Sequence, residues 1–283
     1  MTGQATTLRR AKPHSTDLTD KEWEILRPHL PPPKRLGRRR RVDLREVVNA
    51  ILYQTKNNCT WADLPRDLPP KSTVQDYYYA WIADGSWQRW LDLLRQQVRV
   101  EAGHDPTPSA GCIDSQSVPG SHVGGVQGID GGKKVKGRKR HIAVDTLGLL
   151  IAVAVTPANW SDGPVACNVL AQLNWAACPR LRVLYGDARY CGPVLEAWLR
   201  RHGWYRVEVV KRPEGQEGFV PLPKRWVVER TFAWLGRYRR LAREWEYHCC
   251  SSEARVQIAS IHLMLRRLAR PRPIDSCTIR KVA

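Results

Sequence analysis

The sequence predicts an α/β protein whose sheet domain is preceded by a small all-helical, helix-turn-helix-like module. Three observations carry this. Residues 18–100 hold four stretches of helical period, each with a start or stop signal. Residues 101–109 contain Gly103, Pro106 and Pro108, the composition of a linker. From Gly111 onward, short apolar runs of strand length appear, three together and then alternating with helical stretches. The chain of 283 residues divides accordingly. Residues 1–17 form a polar tail that lacks period and reads as disordered. Residues 18–104 form the helical module, 105–270 the sheet domain and 271–283 a second tail.

In the helical module, Thr19 and Glu22 make a capping box before Trp23, Ile25 and Leu26, and Pro28 limits that helix. Pro31-Pro32-Pro33 and the cations Lys34, Arg35, Arg38, Arg39, Arg40 and Arg41 form an extended strap suited to phosphate contacts, against the plainer reading of a solvated linker. Asp43 and Glu46 open a second helix with Leu44, Val47, Val48, Ile51 and Leu52 on one face. Ser72 and Gln75 mark the start of a third, carrying Val74, Tyr77, Tyr78 and Trp81, which Gly85 stops. A fourth runs from Ser86 to Val100. The second and third flank a proline-containing connection, as in a helix-turn-helix variant; a helical cap or dimerisation module is the alternative.

In the sheet domain, Gly111–Val118 is a strand, Ser121–Gly132 a glycine-rich mobile loop and Lys133–Arg140 a dense cationic run. His141–Asp145 and Leu149–Thr156 complete an antiparallel meander. A helix over 162–173, a strand over 181–187, a helix over 192–202 and a strand over 206–211 follow. Then comes one long helix, Lys224–Leu241, with Val228, Phe232 and Leu235 on its apolar stripe and Glu229 among arginines. Ser252–Ala269 is a last helix. The order β-β-β-α-β-α-β-α is that of the ribonuclease-H-like α/β fold.

The charge balance narrows the function. Lys and Arg number 46 against 27 Asp and Glu, a net charge of +19. Such an excess gathers polyanions, nucleic acid first and an anionic membrane second. No run of 18 apolar residues exists, and residues 1–10 lack a signal-peptide core, so the expected location is the cytoplasm, in association with the nucleoid, with no membrane partner. The eight cysteines contain no C-x-x-C pair, which removes the zinc-ribbon reading and leaves them as small, mostly buried apolar residues. The aromatic residues, 12 tryptophans included, read mainly as core, although Trp226 and Trp234 flank the Glu229 helix and are placed to stack on an unpaired base.

Three carboxylates stand out. Asp114 ends the first strand, Asp187 ends the fourth, and Glu229 lies on the helix after the fifth. Taken singly, each aspartate has a local explanation as a turn or helix cap. In an α/β sheet, however, sites gather at strand ends where the topology switches, and the first and fourth strands of this fold are neighbours. Convergent carboxylates repel unless a divalent cation neutralises them. All-oxygen ligands favour Mg²⁺, or Mn²⁺, over zinc, and two such ions about 4 Å apart clamp a phosphodiester. Asp145 and Asp162 are rival acids with adequate local roles, one before the Thr146-Leu147-Gly148 turn and one at a helix start.

From Leu18 to Arg270 the chain resembles bacterial insertion-sequence transposases of the DDE type. The stretches that carry this are Leu18–Trp23, Cys112–Val118, Gly131–His141, Gly186–Tyr190 and, most specific, Arg225-Trp226-Val227-Val228-Glu229-Arg230-Thr231-Phe232. The resemblance implies that Asp114, Asp187 and Glu229 are both the catalytic and the metal-binding residues, and that Arg225 contacts the DNA end. Some related groups carry a tyrosine and a lysine at positions occupied here by Leu222 and Gly236, with Arg237 as the adjacent cation; Pro119 also stands where relatives often have lysine.

The expected function is a DNA transposase that binds element ends, cleaves phosphodiester bonds and transfers the 3′-OH to target DNA by two-metal catalysis. Its partners would be double-stranded DNA, both terminal inverted repeats and target, with a homodimer as the assembly suited to two ends. Lys133, Lys134, Lys136, Arg138, Lys139 and Arg140 would hold the DNA backbone, with Arg38–Arg41 and Arg237. The rivals are a nuclease of the same fold without strand transfer and a non-catalytic DNA-binding remnant.

Overall fold

Local signals set most of the element boundaries. The structure is a computed structural model and describes residues 14–32, 40–202, 206–210 and 226–270. Helix α1 (Asp20–Leu26) starts at the expected capping box: Thr19 Oγ1 accepts from the Glu22 N–H at 3.3 Å, and Glu22 Oε2 accepts from the Thr19 N–H at 2.7 Å. Asp43 caps α2 (Leu44–Asn57) through the Arg45 N–H, and Asn58, left-handed at φ 62°, closes it. Helix α3 (Lys71–Ala83) begins after Pro70 rather than at a Ser72 capping box, because proline is tolerated where no N–H is needed. Gly85 at φ 70° turns the chain into α4 (Ser86–Glu101). Residues 14–17, expected in the tail, form a turn closed by Asp17 N–H to His14 O. The rest of that tail, Arg38, Arg39 and Arg225 all lie outside the described residues.

The strands are β1 (Ala110–Pro119), β2 (Gly128–Asp130), β3 (Val135–Asp145), β4 (Leu150–Pro157), β5 (Val183–Gly186) and β6 (Arg206–Val209). Strand β3 pairs antiparallel with β1 on one edge and with β4 and the short β2 on the other. Strands β5 and β6 continue the sheet beyond β1 in parallel. Helices α5 (Asp162–Ala171) and α6 (Pro193–His202) connect the parallel strands. Helices α7 (Trp226–Leu235) and α8 (Cys249–Ala269) close the described chain.

Two expectations are corrected here. The glycine-rich loop contains β2, and the cationic run after it is largely β3. The long helix around Glu229 ends at Leu235, where Gly236 breaks it, and a 3₁₀ turn (Arg239–Leu241) follows.

Alternation along the strands sorts two cores. Cys112, Ile142, Val144 and Val153 face a cluster built from α1–α4, α7 and α8. Ile113, Ala143, Ala152 and Ala154 face α5 and α6. The N-terminal helices therefore share their core with one face of the sheet and have no separate one. Trp81, Trp87 and Trp90 meet edge to face within it, with centroids 4.9–5.3 Å apart. Cys112, Cys167 and Cys178 are buried as expected, whereas Cys191 and Cys250 are exposed. Among the described residues, no helix is long and apolar enough to cross a membrane.

Buried polar contacts tie the helices together. Arg255 of α8 donates from Nε to Glu246 Oε1 at 2.9 Å, from Nη1 to Thr55 Oγ1 at 2.9 Å and from Nη2 to Gln54, while lying over the Tyr78 ring. Replacing Arg255 by Ala strands the Glu246 carboxylate with Arg240 alone, and a loss of about 3 kcal/mol in urea unfolding is expected.

Glu253 of α8 supplies a pH dependence. It accepts the Val155 N–H at the free edge of β4, at 2.9 Å. Burial, opposed in part by that bond and by one from Gln172, raises its pKa from 4.5 to about 7. The folded chain thus holds this proton more tightly than the unfolded one. The stability Glu253 contributes is present in full below pH 4.5 and is lost as pH rises through 7. Wild type minus Glu253→Gln, measured by unfolding across that range, is expected to fall by about 3 kcal/mol.

Candidate active site at the strand ends

The parallel pairing of β1 with β5 places the two aspartates. Cys112 opposes Tyr185 in register, and two residues beyond them stand Asp187, just past the end of β5, and Asp114, which lies in the middle of β1 and not at its end as expected, because β1 runs on to Pro119 against β3. Both are half-buried. The Ser115 N–H donates to Asp114 Oδ1 at 2.7 Å. Asp187 organises its own turn, accepting the Arg189 N–H at Oδ1 (2.9 Å) and the Tyr190 N–H at its carbonyl (3.0 Å).

On the other sheet face, directly behind this pair, lies a buried polar cluster that the sequence alone did not single out. Its hub is Asp162, the first residue of α5. Asp162 Oδ1 accepts from Ser115 Oγ at 2.9 Å and lies 3.2 Å from Lys139 Nζ and 3.7 Å from His141 Nδ1, while Oδ2 is 3.5 Å from Arg189 Nη1. Burial outweighs the carboxylate and lowers the His141 pKa to about 4, so the ring is neutral at pH 7. Tyr190 is buried in the same region. Burial first, then the charges of Asp114, Asp162 and Asp187, hold its phenol well above its ordinary pKa. The signal for Asp162 was its helix start, which gave a sufficient but incomplete reason for it.

Glu229 is exposed on α7, whose buried side carries Val227, Val228, Thr231, Phe232 and Leu235. The helix is seated on the β3–β4 turn. Thr231 Oγ1 donates to Gly148 O at 2.9 Å and Arg230 Nη2 to Leu147 O at 3.1 Å. Asp145 shapes that turn, accepting the Leu147 and Leu149 N–H groups at Oδ1 (2.9 and 2.8 Å) and pairing through Oδ2 with Arg99 of α4 at 2.7 Å. The structure thus brings Asp114 and Asp187 to matched positions. Among the described residues, no group of three His, Cys, Asp or Glu side chains converges closely enough to hold a metal ion. Trp226 and Trp234 do not stand free for a base: the Arg230 guanidinium lies over both rings, 4.3 and 4.6 Å from their centroids, and Arg267 lies over Trp234 at 4.3 Å.

The cationic run separates into two classes. Lys133, Lys134 and Lys136 are exposed. Arg138, Lys139 and Arg140 are only 0, 5 and 3 % exposed, and their partners are internal. Arg138 donates to Val126 O (2.9 Å) and Glu246 O (2.8 Å) and faces Glu244 at 3.6 Å. Lys139 donates to Trp160 O (2.9 Å) beside Asp162. Arg140 donates to Leu241 O (2.6 Å) and meets Glu244 at 3.3 Å. These three are corrected from DNA contacts to structural cations: buried charge persists only when paired, and the acids that pair them come from distant segments. Arg40, Arg41 and Arg237 are exposed.

Comparison with known proteins follows the same lines. The family described as transposase DDE domain matches residues 105–261, and the family described as "Putative transposase of IS4/5 family" matches residues 18–91. The chain is 36% identical over 111 residues to the "Putative transposase for insertion sequence element IS402" of Burkholderia cepacia, covering 37% of this chain and 52% of that protein. It is 30% identical over 84 residues to "Uncharacterized protein y4sN" of Sinorhizobium fredii, covering 30% of this chain and 67% of that protein. The chain thus spans about half the length of the first of these relatives.

The seat of α7 is testable at Gly148. Its φ is 78°, and a Cβ there would stand 2.8 Å from Thr231 Oγ1 and 3.1 Å from the Trp234 ring. Gly148→Ala is expected to lower stability by about 1–3 kcal/mol and to raise amide exchange across residues 226–235. A stability loss with protection of that segment unchanged would show that the turn does not seat the helix.

Proposed function

The chain belongs to the transposase DDE domain family, and from that premise we propose that it binds the ends of a mobile element, cleaves their phosphodiester bonds and transfers the freed 3′-OH to target DNA. The observation that carries the reading is the register of β1 and β5, which sets Asp114, in the middle of β1, level with Asp187, just past the end of the adjacent parallel strand β5. The sheet order, β4-β3-β1-β5-β6 with β2 extending the β4 edge, supports a ribonuclease-H-like framework.

Asp114, Asp187 and Glu229 are the catalytic carboxylates in this reading and the ligands of the divalent cation. The donor set fits: all are hard oxygens, suited to Mg²⁺ or Mn²⁺. The cation supplies Lewis-acid stabilisation of charge on the phosphoryl oxygens. The chain's own part is positioning. Ser115 and Tyr190, packed behind the aspartate pair, fix the strand ends. The Leu147–Gly148 turn fixes the pitch of α7, the helix from which Glu229 would act as the third carboxylate. Lys133, Lys134, Lys136 and Arg237, with the strap around Arg38–Arg41 and with Arg225, contact phosphates. The N-terminal helices bind the element ends. Two ends call for two copies of the chain, and the work is done at the chromosome, in the cytoplasm.

Purified protein incubated with Mg²⁺, duplexes bearing the element's inverted repeats and a target plasmid is expected to give joined product. Asp114→Ala, Asp187→Ala and Glu229→Ala are each expected to lower cleavage at least about 100-fold and to weaken Mn²⁺ binding measured by calorimetry. Cut ends that never join a target would favour a nuclease without strand transfer. Asp114→Ala with cleavage and metal binding both intact would end the enzyme reading.

A further inference from the structure

With Arg138, Lys139 and Arg140 committed to internal partners, the cations that face outward have to be sought elsewhere. One group lies where the C-terminal end of α7 meets the last turns of α8 and the end of α2. Lys56 of α2 donates to Arg237 O at 2.6 Å and lies over the Tyr238 ring, 4.6 Å from its centroid. Arg237 and Arg239 are exposed beside it. Arg266 and Arg267 project from α8, Arg266 reaching Ser15 O at 3.1 Å and Arg267 lying over Trp234. Arg230 also lies over the Trp234 ring, 4.6 Å from its centroid, and a groove of about 420 Å³ opens between Arg230, Arg267, Leu147 and the end of α4.

These cations crowd one another. Burial and then the charges of Arg266, Arg237 and Arg239 hold the Lys56 ammonium below its usual range. Burial and then Arg230 do the same to Arg267, with Asp145 opposing. The nearby acids are already engaged: Glu22 in the α1 capping box and Asp145 with Arg99. Glu101 lines the groove together with Arg230 and Arg267. Like charges packed this closely are unfavourable unless a partner brings several negative charges at short, regular spacing, as a nucleic-acid backbone does.

We propose that this face, centred on Lys56, Arg237, Arg239, Arg266 and Arg267, is the main track for the backbone of duplex DNA as it approaches Glu229. The inference rests on the transposase reading and adds the surface along which the substrate lies. The scale fits: Leu235, the last residue of α7, is roughly 9 Å along the helix axis from Glu229, well within one turn of a duplex, about 34 Å.

The experiment measures binding of a labelled duplex of arbitrary sequence by the full chain across a salt series, by fluorescence anisotropy. Arg239→Gln with Arg266→Gln is expected to reduce the slope of log K against log[salt] by about 1.8, two contacts at about 0.9 each. Arg239→Lys with Arg266→Lys is expected to keep the slope. Arg200→Gln with Arg201→Gln, which removes the same charge from exposed positions on α6, is expected to leave it unchanged. A patch pair that binds as wild type, or two glutamine pairs that weaken equally, overturns the proposed track while the transposase reading stands. A wild-type chain that binds no duplex overturns both.

Discussion

The structure depends most on the parallel pairing of β1 with β5. These strands are separated by more than sixty residues of intervening chain, yet their register is what decides where Asp114 and Asp187 stand relative to one another. A slip of one residue in either strand would turn one aspartate to the opposite face. That slip is opposed from both sides. Ile113 and Leu184 are packed against α5 and α6 on one face, and Cys112 is packed against the helical cluster on the other. The aspartates thus inherit their positions from apolar contacts one to three residues upstream. Ser115, bonded to Asp162, pins β1 immediately beyond Asp114.

The same economy of placement governs α7. A ten-residue helix has little stability of its own, so its orientation has to come from what it rests on. It rests on one face on the sheet and at its middle on the Leu147–Gly148 turn, which Asp145 shapes and Arg99 neutralises. Arg99 belongs to α4. The last of the N-terminal helices therefore reaches, through a buried ion pair and a turn, the helix that carries Glu229. Those helices, one face of the sheet and α7 all share a single apolar core.

Much of the fold was legible in the sequence, since most signals that set it are local. The capping box at Thr19 and Glu22, the Asp43 cap and the apolar faces of α2 and α4 act over three or four residues, and each is found where the sequence puts it. The strands β1, β4 and β5 carry continuous apolar runs. What escaped is non-local. Strand β2 has three residues, and only pairing with β3 makes it a strand. Ser72 resembles a cap, but the cap is Pro70, two residues earlier. The cores of the two predicted domains turned out to be continuous, a fact held in tertiary contacts alone. At the candidate site, the position of Asp187 at the end of β5 was readable, whereas β1 runs on past Asp114 to Pro119; the cluster around Asp162 was not readable, because Ser115, the Lys139 and His141 pair of β3, and Arg189 arrive from three separate segments.

The cationic run shows why charge in a sequence is ambiguous until its partners are known. Lys133, Lys134 and Lys136 lie in and beside a turn, whereas Arg138, Lys139 and Arg140 follow them without a break yet lie inside a strand paired on both edges. Consecutive strand residues point to opposite faces, so Arg138 and Arg140 meet Glu244 on one side while Lys139 meets Asp162 on the other. Arg138 and Arg140 share Glu244 and Lys139 meets Asp162, so three positive charges are buried with two negative ones and most of the net excess of +19 remains. That excess is therefore displayed by other residues. On the described surface one such group stands where α7 and α8 end together, on the helix that also carries the exposed Glu229.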